Sequence, residues 1–308
     1  MNKIDAFAHI LTPNFYNNML EIAPDLEIKF PYMKNKNLID VQVRRESIKK
    51  FKELKQIVSM INLNPEDFVD KDLSFELCWK ANEELINIVK ENNDIFLGAV
   101  AMLPLNNIEG SIKIIREQVI SSEQLLGVQL FSKSLGNSIA SDKFLSLFEE
   151  IYKNNISVWL HPVFDTNKKD NNLIFSWEYE QSQAMLEIIM ADIFVKYPKI
   201  KILCHHAGAM VPFFSKRLPL TMPAEKYSDM FKLFYVDTAI LGNTLSLEMA
   251  LDYYGTDRLI FATDAPLGIL PDGPTEVVID SVECMKISDN IKEKIYKKNI
   301  EEFLDIKF

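Results

Sequence analysis

The sequence predicts a (β/α)8 TIM barrel, and three observations carry that expectation. Eight short apolar runs are bounded by polar or turn residues: Ile4–His9, Ile57–Leu63, Phe96–Leu103, Leu126–Phe131, Ser157–His161, Ile200–His206, Leu233–Asp237 and Leu259–Thr263. Helix-period segments separate them, as in Ala81, Leu85, Ile88 and Val89, or Phe144, Leu147, Phe148, Ile151 and Tyr152. Strand, helix, strand in repetition means parallel pairing with crossover helices, and eight such units favour a closed barrel over an open doubly wound sheet.

In the first run Ile4, Ala6 and Ala8 alternate with Asp5, Phe7 and His9, so Phe7 and His9 share one face of the strand. The interval 11–56 that follows is too long for a simple crossover. Pro13, Pro24 and Pro31 with the Lys/Asn run Lys34–Asn37 predict an irregular excursion, ending in an amphipathic helix from about Asp40. The interval 162–199 is also long, carrying Phe175, Trp177 and Tyr179 ahead of a helix through Met185, Ile189 and Phe194. Both excursions, after strands 1 and 5, leave from C-terminal strand ends, where barrels build their pockets, so both are expected to wall a site. No solenoid-period repeat, low-complexity stretch or Gly/Ser linker divides the chain, and residues 1–308 are expected to form one barrel domain.

With 48% hydrophobic residues the chain can bury a large core. Lys and Arg number 34 against 44 Asp and Glu, a net charge of −10 without a long basic block. That balance argues against nucleic acid or an anionic membrane as the main partner and leaves a small molecule. Three cysteines, Cys78, Cys204 and Cys284, lack CxxC spacing, which argues against a disulfide framework or zinc ribbon and fits a reducing cytoplasm. No apolar run approaches the roughly 18 residues of a membrane span, and the N-terminus lacks signal-peptide order. A cytoplasmic, membrane-free protein is the expectation.

Three of the four histidines stand where apolar runs end: His9 on the first strand, His161 on the fifth and His206 on the sixth, while Asp264 follows the eighth. In a barrel all four reach one rim. Histidines and a carboxylate converging in this way make a divalent-metal site that keeps a position open for water. His205 and His206 are adjacent, so a strand turns only one of them inward. His205 suits a place behind the ligands or in the core, and His206, near the metal, could act as a general acid or base or polarise a substrate oxygen. Asp264 has two expected roles, metal ligand and proton shuttle.

Several runs carry a resemblance: KIDAFAHI from Lys3, Leu160-His161-Pro162, KIKILCHHAGAMVPFF from Lys199, Asp237–Ala239 and FATDAPLG from Phe261. Weaker matches are Ala81-Asn82-Glu83, Gly98–Pro104, Gly127-Val128-Gln129 and Trp177 with Glu180. Together these resemble the amidohydrolase superfamily of metal-dependent hydrolases, in the branch of aminocarboxymuconate-semialdehyde decarboxylase and γ-resorcylate decarboxylase. The resemblance implies one divalent metal, zinc first and manganese second, held by His9, His161 and Asp264, with His206 and Asp264 catalytic. Choosing His206 over His205 rests on the six-residue step to Pro212 that the resemblance implies. Arg44 and Arg217 fall near family arginines, and Arg44, Phe7 and Trp177 are the expected substrate contacts. The branch is often dimeric, so a homodimer is the expected assembly. One departure stands out: Phe7 occupies the place of the first ligand of the family's strand-one pair, and phenylalanine cannot coordinate a metal.

Three functions follow as alternatives. The first is non-oxidative decarboxylation of a small aromatic or unsaturated carboxylic acid. The second is hydrolysis of a small lactone, ester or amide with the same parts. The third is a metal-free barrel that binds a small molecule.

Overall fold

The computed structural model describes residues 1–165, 168–221 and 227–308. Eight parallel strands pair in chain order: β1 (Lys3–Ile10), β2 (Leu54–Met60), β3 (Phe96–Ala101), β4 (Leu125–Phe131), β5 (Ser157–His161), β6 (Ile202–Cys204), β7 (Tyr235–Asp237) and β8 (Leu259–Ile260). The last returns to the first through backbone bonds from Ala6 N to Phe261 O (2.9 Å), Asp264 N to Phe7 O (3.1 Å) and His9 N to Ala265 O (2.7 Å). With helices on its outside, this is the expected (β/α)8 barrel.

Two boundaries differ from the sequence expectation for physical reasons. β2 begins three residues early, because Lys55 and Gln56 interrupt the apolar run yet lie on the ladder, Gln56 fully buried. β6 stops at Cys204, short of the expected His206, because His206 and Ala207 have φ of +59° and +55°, in the left-handed region that ends a strand. The first excursion is more regular than expected. It holds helices at Pro13–Ile22, Leu26–Lys29 and Lys36–Ile39 before the anticipated one at Val41–Ile48, which Asp40 caps by accepting from the Gln42 and Val43 amides.

Alternation divides the strand side chains between two cores. Outward residues such as Val58, Val128, Val158, Ile202, Val236 and Leu259 pack under the helices. Inward residues Phe7, Ile57, Val100, Trp159, Leu203, Tyr235 and Ile260 fill the barrel, and Ile300 and Phe303 of the helix Asn299–Leu304 join them. Ser157 Oγ ties that helix down through Phe303 O at 2.9 Å. Trp159 spans the interior to donate its indole N–H to Ala6 O (2.8 Å), where the β1–β2 register slips between Asp5 and Ala8.

The β8–β1 seam is held by a buried polar network. Asp5 accepts from Thr263 N, Thr263 Oγ1 and Gln56 Nε2 at 2.9, 2.6 and 2.9 Å. Gln56 Oε1 accepts from Arg44 Nε at 2.8 Å. The remaining Arg44 donors reach the carbonyls of His9, Asn37 and Ala265. Burial lowers the Arg44 guanidinium to about 10 and raises the Asp5 carboxyl, each partly offset by the other's charge. Replacing Arg44 by Met strands Asp5 without its counter-charge and is expected to cost about 3–5 kcal/mol in urea unfolding. A loss below about 1 kcal/mol would mean the seam holds without it.

Glu66, on the 3₁₀ turn Pro65–Asp67 after β2, is also buried and accepts from Ser134 Oγ (3.2 Å) on a hairpin of Lys133–Ser134 and Asn137–Ser138. Burial pushes its carboxyl from 4.5 up to about 7. The native state therefore binds the extra proton between those values, and the stability linked to this group falls as pH rises through that window and is flat above it. Glu66→Gln removes the loss, so it is expected to stabilise by about 3 kcal/mol at pH 8 but by less than about 1 kcal/mol at pH 5. Denaturant melts at the two pH values check this; an equal effect at both would sink it.

Candidate metal centre

Five polar side chains crown the apolar plug at the C-terminal ends of the strands. Each follows, two residues on, an inward apolar neighbour: Phe7 then His9, Trp159 then His161, Leu203 then His205, Tyr235 then Asp237, Ala262 then Asp264. The period of two brings all five to the same rim above the plug.

The imidazoles are anchored from behind. His161 Nδ1 donates to Pro162 O (2.7 Å), which leaves Nε2 with its lone pair. His9 Nδ1 pairs with Ser59 Oγ (3.1 Å), and His205 Nδ1 pairs with Asp237 Oδ2. Asp237 Oδ1 in turn accepts from the amides of Ala207 (3.2 Å) and Ala239 (3.0 Å). Ligand atoms of His9, His161 and His205 all lie within 4.8 Å of one another. Asp264 Oδ1 lies 3.0 Å from His9 Nε2 and 3.4 Å from His205 Nε2.

The electrostatics fit a cation. His9 Nε2 is buried without a hydrogen-bond partner, although the Asp264 oxygen is near. Burial, then the neighbouring histidines, drive the His161 pKa well below its ordinary value, so the ring is neutral. Burial alone would lower His205 too, but Asp237 and Asp264 on either side override it and raise the ring to about 10. Burial would raise Asp264, yet His205 and His9 hold it well below the carboxylate range. Three imidazoles and a carboxylate at this spacing suit a divalent metal ion.

The structure places the expected site residues unequally. His9 stands beside both His161 and Asp264, but His161 and Asp264 fall in separate groups at ligand distance, and His205 belongs to both. His206 does not take the inward position: β6 ends at Cys204, which packs outward, so the inward position falls to His205. The assignment of His205 to a place behind the ligands or in the core is thereby corrected. The positive φ of His206 folds its ring back beside His205, with centroids 4.1 Å apart, and its Nδ1 pairs with Glu178 Oε1 at 2.7 Å. His206 still shares a ligand-distance cluster with His205 and Asp264.

Arg44 is not at hand for a substrate carboxylate, because its guanidinium is buried at 2% exposure and bonded to Gln56 and backbone carbonyls. Arg217 is exposed and lies over the Phe214 ring. Phe7 is fully buried, its ring centroid 4.2 Å from that of His205 and 5.4 Å from that of His9. Trp177 forms a wall, 5.7 Å from His161 and 5.2 Å from Phe164 by ring centroids, and among the described residues its buried indole N–H has no partner. Helix Ser176–Met190, which carries Trp177 and Glu178, is fixed through buried Glu180 to Lys133 (2.7 Å) and Lys168 (2.8 Å).

Sequence reasoning passed over His205, Asp237 and Glu178 as site residues. Counting back by two from the histidine pair would have found His205, since Leu203 is the large apolar residue that matches Trp159. Asp237 ends its strand as His161 does. Glu178 carries no signal at this level.

Comparison with known proteins agrees with this architecture. The amidohydrolase family profile matches residues 59–306, with β1 and its Phe7 outside the match. The 2-amino-3-carboxymuconate-6-semialdehyde decarboxylase of Dictyostelium discoideum is 24% identical over 99% of this chain and 92% of its own. The 6-methylsalicylic acid decarboxylase of Penicillium expansum is 22% identical over 55% of this chain; the match spans about half of that relative, 56%. Among solved structures, the manganese-bound 5-carboxyvanillate decarboxylase of Novosphingobium aromaticivorans superposes with a TM-score of 0.88 over 99% of this chain and 97% of that one, at 17% identity. Among the described residues no helix is long and apolar enough to cross a membrane.

Proposed function

We infer that this chain, which belongs to the amidohydrolase family, is a metal-dependent lyase that removes CO₂ from a small aromatic or unsaturated carboxylic acid. The observation that carries the reading is a metal-donor cluster walled by aromatic rings, with Phe131 and Trp177 at 5.8 and 5.7 Å from His161 by ring centroids. Such walls suit a flat, conjugated acid. The decarboxylases among the relatives support the same reading.

His9, His161 and Asp264 hold the cation. Zinc is the first choice because the nearby donors are mostly imidazole, and manganese, present in a structural neighbour, is the second. A bound divalent ion supplies Lewis-acid stabilisation of negative charge on a substrate oxygen. The chain's own groups do the rest. Breaking the C–CO₂ bond leaves an electron pair on carbon, which must take a proton. His206, with Nδ1 held by Glu178, has Nε2 free to deliver that proton, and Asp264 is the second group that handles it. The Trp177 N–H, unpaired among the described residues, offers the substrate a hydrogen bond. Three free cysteines suit a reducing cytoplasm, and the exposed Leu173, Ile174 and Phe175 give a homodimer an apolar surface to use.

The metal-loaded protein is expected to release CO₂ from members of a panel of hydroxylated aromatic and dienoic acids. Turnover confined to a parallel panel of esters and lactones would end the decarboxylase reading in favour of hydrolysis. His161→Ala and Asp264→Ala are expected to abolish metal binding. His206→Ala keeps the metal and lowers kcat by about 10²–10⁴-fold. Equal metal loss in all three would make His206 a ligand and overturn its assigned role.

A further inference from the structure

Phe7 leaves β1 one donor short, yet the cluster is not short of donors. His205 stands against the Phe7 ring, closer by centroid than any other imidazole, and its ligand atom lies within 4.8 Å of those of His9 and His161. Its Nε2 also lies 3.4 Å from Asp264 Oδ1. The ring is fixed from behind, because Asp237 holds Nδ1 while two backbone amides hold Asp237. A carboxylate on the far nitrogen is the arrangement that orients a metal-bound histidine and raises its basicity. His206, by contrast, is turned towards Glu178 and belongs to the outer part of the site.

We propose that His205 is a metal ligand, supplying from the end of β6 the donor that Phe7 cannot supply from β1. The proposal rests on the metal-dependent reading above and assigns the adjacent histidines different work, His205 to the cation and His206 to the proton. It also explains how a buried phenylalanine is compatible with a competent centre. The cluster becomes three imidazoles and one carboxylate, and the ring of Phe7 forms the apolar floor beneath His205.

The test is metal binding to the stripped full-length protein, followed by Co²⁺ titration calorimetry, with folding checked by circular dichroism. His205→Gln is expected to weaken Co²⁺ binding by more than about 100-fold, beyond the usual effect of losing an outer partner of a ligand. Adding Phe7→His to that variant is expected to recover much of the loss. Pulsed EPR of Mn²⁺ bound to the wild-type protein should count three imidazole nitrogens, and His206→Gln should leave that count unchanged; this arm stands if His205→Gln does not fold. Two nitrogens in the wild type, or unaltered Co²⁺ affinity in folded His205→Gln, would overturn the proposal while leaving the metal-dependent reading intact. Wild-type protein that binds neither ion would overturn both.

Discussion

The buried link from Arg44 through Gln56 to Asp5 is the constraint on which the site depends. A barrel closes only if its last strand meets its first, and here β8 is two residues long. Beyond Ile260 the chain follows β1 through three backbone bonds, and His9 and Asp264 sit on the two sides of that seam. Asp5 holds Thr263 from below, while Arg44 binds the carbonyls of His9 and Ala265 together. One guanidinium thus sets the spacing of His9 and Asp264, two side chains that are 255 residues apart in sequence. A buried charge is costly to desolvate, and it is retained here where five donors in a planar fork can join three backbone segments.

The barrel interior is divided into two zones by the same alternation that builds its strands. Below, Trp159, Leu203, Tyr235 and Ile260 make a dry plug with Phe303 of the last helix. Above, the next inward residue after Trp159, Leu203 and Tyr235 is polar, and after Ile260 the polar residue comes one inward step later, at Asp264. The plug keeps water out from beneath, so the donors act in a medium where charge interactions are strong. Phe7 lies at the junction, part of the plug and in ring contact with the imidazoles. The carboxylates of Asp237 and Asp264 set negative charge on both sides of the His205 ring, which favours a cation there, whether a proton or a metal ion that displaces it.

The excursions complete the pocket from outside. The helix that carries Trp177 and Glu178 is tied by Glu180 to lysines on two different loops, so the aromatic wall and the partner of His206 are positioned together. The first excursion supplies no side chain to the donor cluster. Its contribution is Arg44, which acts on the backbone.

The sequence by itself determined the barrel and the strand ends that bear His9, His161 and Asp264, because apolar run length and the period of two are local properties that burial enforces strand by strand. It also marked Phe7 as a departure within the first strand. Tertiary structure alone decided which of His205 and His206 faces inward, since that depends on where β6 ends and on a left-handed backbone at His206. It alone gave Arg44 its place, turning an expected substrate contact into a clamp, because a guanidinium's partners are backbone carbonyls from distant segments. The pairings of Asp237 and Glu178 with the two histidines were likewise settled only by folding: hydrogen bonds across 32 and 28 positions leave no period in the chain.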